Sequence, residues 1–216
     1  MTDSYTVRVA EMQDWDDLSA FLKKAFYPQE PLSISLGVAH CPSEVDIAST
    51  MRQLAERTSL IALDSSTGNI IGCCICGEIR PSEEDAIAEE AASCECPAFQ
   101  KVLQLLATME KNGGHYWKTS GVNSALAVYA VAVDPDARRR GVARALLERA
   151  RSIARERGYQ LLHVDCSSAF SSKLMEQMGM ECVYSLKYEH FKDSSGQPVF
   201  KPPSPHTEMR KYILKL

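Results

Sequence analysis

The residues Arg138 to Ala143 read RRRGVA, and they set a problem of charge. Val142, Leu146, Arg149/Ala150 and Ile153 fall at helical spacing, which predicts a helix beginning near Arg140. A helix N-terminus carries unpaired N–H groups and a partial positive charge, so cations there are unfavourable. Between Arg138 and Arg157 the chain has eight arginines against two acids, Glu148 and Glu156, although its net charge is -4. The outer arginines, Arg151, Arg155 and Arg157, read as a solvated face. Arg138, Arg139 and Arg140 sit at the wrong end for the dipole and call for an anion. A phosphate resolves the conflict, because successive N–H groups at a helix start cradle one. Gly141 lets the backbone approach it with no Cβ in the way, and Ala143 keeps the first turn small. The pattern is neither a P-loop nor a Gly-x-Gly-x-x-Gly fingerprint.

The elements that must position this loop follow from periodicity. ALAVYAVAV (Ala125–Val133) is a strand leading into it, and the arginine helix ends at Gly158, a good C-terminal stop. YQLLHVDC, a short helix SAFSSKLMEQM stopped by Gly179, the strand ECVYSLKYEHF, the loop KDSSGQPVFKPPSPH and a closing strand TEMRKYILKL complete that half. Before it come a strand at Tyr5–Ala10 and a helix with Trp15, Leu18, Leu22 and Ala25/Phe26 on one face. FYPQEPLSIS is expected to be a loop, because two prolines bracket an acid. A helix then opens on the cap-like pair Ser43 and Asp46, and SLIALDSSTGNIIGCCICGEIR reads as a hairpin. In PSEEDAIAEEAASCECPAFQKVLQLLATMEK, Phe99, Val102/Leu103, Leu106 and Met109 predict a helix for the second half; the polar first half is expected to be mobile. NGGHYWKTSGVN is expected to be a long polar loop. Strand–helix alternation in the second half favours an α/β fold with a mixed sheet and helices on both faces. With 216 residues and no repeat or linker, one domain over 1–216 is expected.

Composition bounds the function. The chain is 45% hydrophobic and 24% charged, enough apolar material for a sizeable core. The acidic balance argues against nucleic acid or a membrane surface as partner. No secretory signal or membrane span is legible near the start, so a cytoplasmic, reducing setting with free thiols is expected for the eight cysteines. Cys73, Cys74, Cys76, Cys94 and Cys96 lack the gaps and the His partners of a zinc site, so no metal is expected; Cys73–Cys76 reads as buried strand.

Arg138-x-x-Gly141-x-Ala143 between a strand and a helix resembles the acetyl-CoA pyrophosphate loop of the GCN5-related N-acetyltransferases (GNAT), and the order of elements resembles that fold over nearly the whole chain. The resemblance implies a mixed sheet of about seven strands. It also implies that the strand before the loop splays from its neighbour and binds pantetheine and thioester with its free backbone groups. It assigns acetyl-CoA to Val131, Ala132 and Val133 on that strand, with an oxyanion donor near Ala132. At the loop it assigns Arg138, Arg139, Arg140, Gly141, Val142, Ala143 and Arg144.

FYPQEPL (Phe26–Leu32), CSSAFSSKLMEQMGM and the late FKPPSPHTEMR resemble the insect-type arylalkylamine N-acetyltransferases. In that group the loop glutamate is the catalytic base and two serines four apart assist it; here these are Glu30, Ser167 and Ser171. Gln29 stands where the group has an acid, so the chain-adjacent carboxylate is missing. The residue types suit the chemistry. A protonated amine cannot attack a thioester, and a carboxylate removes the proton directly or through water. The amine is itself the nucleophile, so no covalent enzyme intermediate is needed. Phe26, Tyr27, Pro31 and Tyr184, with Tyr188, are placed around an aromatic amine.

Plainer readings stand beside these. Glu30 reads also as an ordinary loop carboxylate, Ser167 as a helix N-cap, Ser171 as an exposed helix residue, and the aromatics as core. Cys166 has no nearby His in sequence and a buried thiol is inert, which disfavours it as a nucleophile. His163 and His206 read as structural. The resulting expectation is a monomeric acetyltransferase acting on an arylalkylamine such as dopamine, serotonin, tryptamine or octopamine. Polyamines or other aliphatic amines are the alternative acceptors. An inactive acyl-CoA binding module and a protein-lysine acetyltransferase are the other classes weighed.

Overall fold

The computed structural model describes residues 4–39, 43–81 and 83–216, without the side chains of Glu83 and Glu84. Cys41 and the first three residues lie outside them. The strands are β1 (Tyr5–Val9), β2 (Leu60–Asp64), β3 (Ile70–Ile79), β4 (Ala125–Val133), β5 (Leu161–Cys166), β6 (Glu181–Lys187) and β7 (Glu208–Lys215). The helices are α1 (Trp15–Ala25), α2 (Pro31–Ser35), α3 (Glu44–Ala55), α4 (Glu83–Ser93), α5 (Pro97–Gly113), α6 (His115–Ser120), α7 (Val142–Glu156) and α8 (Ala169–Gln177). The seven strands form one sheet in the order β1-β2-β3-β4-β5-β7-β6. Neighbours are antiparallel except β4 and β5, which run parallel.

Strand alternation sorts the core onto two faces. Leu60, Ala62, Cys74 and Cys76 pack under Val142, Leu146, Leu147, Ala150 and Ile153 of α7. The intervening Ile61, Cys73 and Ile75 pack on the other face with Leu18, Phe21 and Leu22 of α1. Helices on both faces and a seven-strand mixed sheet agree with the expectation. Leu146 and Leu147 are fully buried, each contributing about 1.5–3 kcal/mol by removal of apolar surface from water. Leu146→Ala, leaving a cavity under α7, would cost about 2–5 kcal/mol.

Helix α7 starts at Val142, not near Arg140, because Gly141 at φ 80° and Arg139 at φ 62° take left-handed conformations that a helix cannot contain. Its C-terminus closes as expected at Gly158, with Tyr159 N–H on Ala154 O at 2.9 Å and Gly158 N–H on Arg155 O at 3.0 Å.

Three segments read as unstructured are helical. The FYPQEPLSIS stretch is a short 3-10 turn, Tyr27–Gln29, followed by α2. The second proline opens that helix rather than breaking structure, since a proline at the first helical position gives up an N–H that had no partner there. The acidic stretch expected to be mobile is α4, with Ala91 buried at its inner side. The polar loop after Gly113 contains α6, held by burial of Tyr116 and Trp117. No helix among the described residues is long and apolar enough to cross a membrane.

Candidate active site

Strands β4 and β5 pair only at Leu126–Leu162, Ala127–His163 and Val128–Val164. Beyond Val128 the strands part, and the end of β5 pairs with β7 alone, Cys166 opposite Arg210. A bulge at Tyr129 marks the place, because Ile75 faces Ala130 while Cys76 faces Val128. Asp134 donates its amide to Ile71 O at 2.9 Å, and Gly72–Val133 and Cys73–Ala132 continue the same register. Hydrogen-bonded and non-bonded pairs alternate along an antiparallel ladder. Ala132 therefore shares the phase of Asp134, with its amide turned to β3. The amides of Val131 and Val133 point into the opening. The sequence placed a donor near Ala132; by register the amides free of β3 there are those of Val131 and Val133, not that of Ala132.

At the foot of the opening lies the arginine loop. Ala145 N–H on Gly141 O, at 3.0 Å, is the first bond of α7. The amides of Val142, Ala143 and Arg144 thus precede the intrahelical ladder and have no partner within it, an arrangement that suits an anion. Arg139 is exposed beside it. Arg138 donates to the side-chain oxygen of Gln29, which ties this loop to the turn before Glu30. Arg140 is engaged elsewhere, with Ser4 Oγ at 2.6 Å and Asp64 at 3.4 Å, its guanidinium 6.0 Å from the Tyr5 ring centre. These contacts brace the sheet edge through one guanidinium nitrogen of an exposed side chain. Arg144 faces Glu148 one turn on, at 3.8 Å. Cradle, flanking cations and parted strands together fit a phosphate-bearing thioester cosubstrate lying between β4 and β5.

On the other side of the opening, Glu30 is the N-cap of α2, and its Oε2 accepts the Ser33 amide at 2.5 Å. Asp46, Tyr188 and His206 lie within the electrostatic field of Glu30. Tyr188 donates its hydroxyl to Ser167 O at 2.7 Å. Ser168, not Ser167, caps α8, accepting the Phe170 amide at 3.1 Å; the first helical residue is Ala169, one later than a Ser167 cap requires. Ser171 Oγ donates to Ser168 O at 2.9 Å and also meets the Cys166 thiol. That thiol is 2% exposed and is pushed up to about 12 by burial, so it is no nucleophile.

His206, which the sequence suggests is structural, holds the start of α8 and lies within the field of Glu30. Its Nδ1 accepts the Ala169 amide at 3.2 Å, which leaves the neutral ring's proton on Nε2. Burial lowers its pKa, and the Glu30 charge opposes the shift. Phe170, 69% exposed, stands edge-on to it with ring centres 5.4 Å apart. An open groove of about 450 Å³ reaches His206, Tyr188 and Thr207. Nothing in the sequence tied His206 to Glu30, because it lies in a proline-rich loop far along the chain.

The expected amine-binding aromatics divide. Phe26 is half-buried and packs edge-on to Tyr27, with centres 5.2 Å apart. Tyr27 belongs to the core under α1, and burial first, then the nearby Asp46 charge, raises the pKa of its hydroxyl. Pro31 is buried at the start of α2. Tyr184 is half-buried among Leu32, Tyr188 and Phe200. His163 is the buried structural residue that the sequence suggested. It packs with Glu110, Asp165 and Lys211 below the sheet, where Lys211 Nζ bonds His163 at 2.8 Å, Asp165 at 3.0 Å and Glu110. Glu110, His163 and Asp165 have the donor types of a cation site, but the Lys211 ammonium fills its centre.

The profile of the acetyltransferase (GNAT) family matches residues 15–180. Three solved structures are similar over their full lengths. An agmatine N-acetyltransferase mutant is 29% identical, with a TM-score of 0.92 over 99% of this chain and 100% of that one. A Drosophila melanogaster polyamine N-acetyltransferase is 30% identical, with a TM-score of 0.90 over 98% and 100%. A mosquito arylalkylamine N-acetyltransferase-like 5b protein is 29% identical, with a TM-score of 0.92 over 99% and 100%.

Proposed function

Because the chain belongs to the acetyltransferase (GNAT) family, whose cosubstrate is acetyl-CoA, we propose that Glu30 serves as the base that readies a small primary amine for acetylation. The carrying observation is the placement of Glu30: its side chain is fixed by the Ser33 amide and grouped with Tyr188 and His206. Acetyl-CoA supplies the activated acyl group. Glu30 accepts the proton of the bound ammonium, directly or through water. The amides of Val131 and Val133 are placed to donate to the thioester oxygen as charge develops on it. Ser171, whose hydroxyl donates to Ser168 O in this structure, is the residue proposed to turn its proton to the leaving sulfur. The amides of Val142, Ala143 and Arg144, with Arg138 and Arg139, hold the phosphates.

Two acceptor classes fit. Phe26, Tyr184 and exposed Phe170 favour an arylalkylamine, the class the sequence resembles. The agmatine and polyamine acetyltransferases among the similar structures favour an aliphatic cation. A panel of aryl, aliphatic and polyamine acceptors with acetyl-CoA, read by thiol release, tests the reading. Release that depends on an amine and on Glu30 supports it. A protein that binds acetyl-CoA but acetylates no amine would be a binding module instead.

A further inference from the structure

We propose that the Tyr5 hydroxyl is a further ligand of the cosubstrate's phosphates, brought to them by the first residue of β1. This rests on the phosphates lying at the free amides of Val142, Ala143 and Arg144, and it adds a residue from the opposite end of the chain.

The first observation is where the hydroxyl stands. Strand alternation turns Tyr5, Val7 and Val9 to the side of the sheet that carries α7, where they pack against its core. A Cβ added to Gly141 would have one described neighbour within 4 Å besides the adjacent residues, Tyr5 Oη at 3.8 Å. The space that the glycine leaves open for a phosphate therefore has this hydroxyl on its border. A phosphate oxygen seated there can accept from the phenol as well as from the free amides, and a hydrogen bond to an anion is stronger than a neutral one.

The second is how the ring is held. Arg140, the neighbour of Gly141, reaches back to β1. It donates to Ser4 O at 3.1 Å and Ser4 Oγ at 2.6 Å. It also pairs with Asp64 at 3.4 Å, the residue opposite Tyr5 in the β1–β2 ladder. Its guanidinium lies 6.0 Å from the Tyr5 ring centre, within reach of a cation–π contact. One side chain of the phosphate loop thus fixes the strand residue before Tyr5, the residue across from it and the ring itself. This packing needs only a ring, and phenylalanine would supply one. The hydroxyl makes no hydrogen bond to another described residue, so it is available to a ligand. β2 and β3 stand between β1 and the opening beside β4. Tyr5 can therefore meet the phosphate end of the cosubstrate and not its acyl end.

The test uses Tyr5→Phe in the full chain, which keeps the ring and removes the donor. Calorimetric titration with acetyl-CoA should show a dissociation constant raised by about tenfold, as for loss of one hydrogen bond to a charged group. The kcat/KM for acetyl-CoA should fall by a similar factor relative to that for S-acetylpantetheine, which carries the thioester and no phosphate. An unchanged dissociation constant overturns the proposal, and so does an equal fall for both thioesters. Failure of the underlying reading looks different, since Gly141→Asp would then keep the wild-type dissociation constant for acetyl-CoA.

Discussion

Glu30 Oε2 accepts the Ser33 amide at 2.5 Å, which makes the proposed base also the N-cap of α2. The hydrogen bond fixes the carboxylate's direction, and substitution separates the two roles. Glu30→Ala should lower turnover by about 10²–10⁴-fold and remove about 1 kcal/mol of stability with the cap. Glu30→Gln keeps an oxygen for the cap, so it should lose similar turnover with less stability. The kcat/KM for amine should rise with pH in the wild type and level off. In both variants that limb should move toward the amine's own pKa. Steady-state kinetics over a pH series and denaturant melts check this; a Gln variant with wild-type turnover rejects Glu30 as the base.

Gly141 takes φ 80°, and a Cβ there would meet only Tyr5 Oη, at 3.8 Å. The strain of an added side chain is therefore conformational rather than steric. Gly141→Ala should cost about 1–2 kcal/mol yet keep its thermal stabilisation by acetyl-CoA. Gly141→Asp should lose that stabilisation, because a carboxylate enters the phosphate cradle. In the wild type it amounts to about 2.7 kcal/mol when ligand is a hundredfold above its Kd. An unchanged shift in Gly141→Asp would remove the phosphate assignment from this loop.

His163 is held neutral: burial first, and then the Lys211 ammonium, push its pKa down to about 3, with Asp165 opposing. In the unfolded chain it titrates near its ordinary 6.5. Between those values the unfolded state binds more protons. The contribution is thus complete above pH 6.5 and is lost as pH falls toward about 3, by at most about 1.4 kcal/mol per unit. Glu110 and Asp46, raised by burial, slope the opposite way, so the informative quantity is a difference. Urea melts at pH 7 and pH 5 should show a steeper loss for the wild type than for His163→Gln. Parallel losses would mean that His163 is not buried neutral. Lys211→Met, which strands Glu110 and Asp165 without their cation, should cost about 3–5 kcal/mol.

Ser168 rather than Ser167 caps α8. Ser168→Ala should therefore cost about 1 kcal/mol, and Ser167→Ala should leave the melting temperature within error. Ser171→Ala should lower turnover modestly. An equal loss of stability from the Ser167 and Ser168 variants would contradict the capping geometry, and an unchanged Ser171 variant would remove that hydroxyl from the chemistry.

The sequence by itself determined what short-range periodicity carries. The seven strands, helices α1, α3, α5, α7 and α8, and the glycine that opens the phosphate loop are set by apolar spacing and by backbone conformations that few residues adopt. The expectation of an anion at this loop also came from the sequence, because three arginines close to a helix start conflict with the local dipole. Pro31 and the Gly113–Gly121 stretch misled, since proline and glycine signal both breaks and helix ends, and only burial of Leu32, Tyr116 and Trp117 decides between them. Tertiary structure alone decided the phase of β4 that turns Val131 and Val133 to the opening, because ladder register depends on the partner strand. It also decided the company of Glu30. Asp46, Tyr188 and His206 come from segments 16 to 176 residues away. Their meeting is a product of packing α2, α3 and the loop before β7 against one end of the sheet, and a charge has no local signature of the charges it will face.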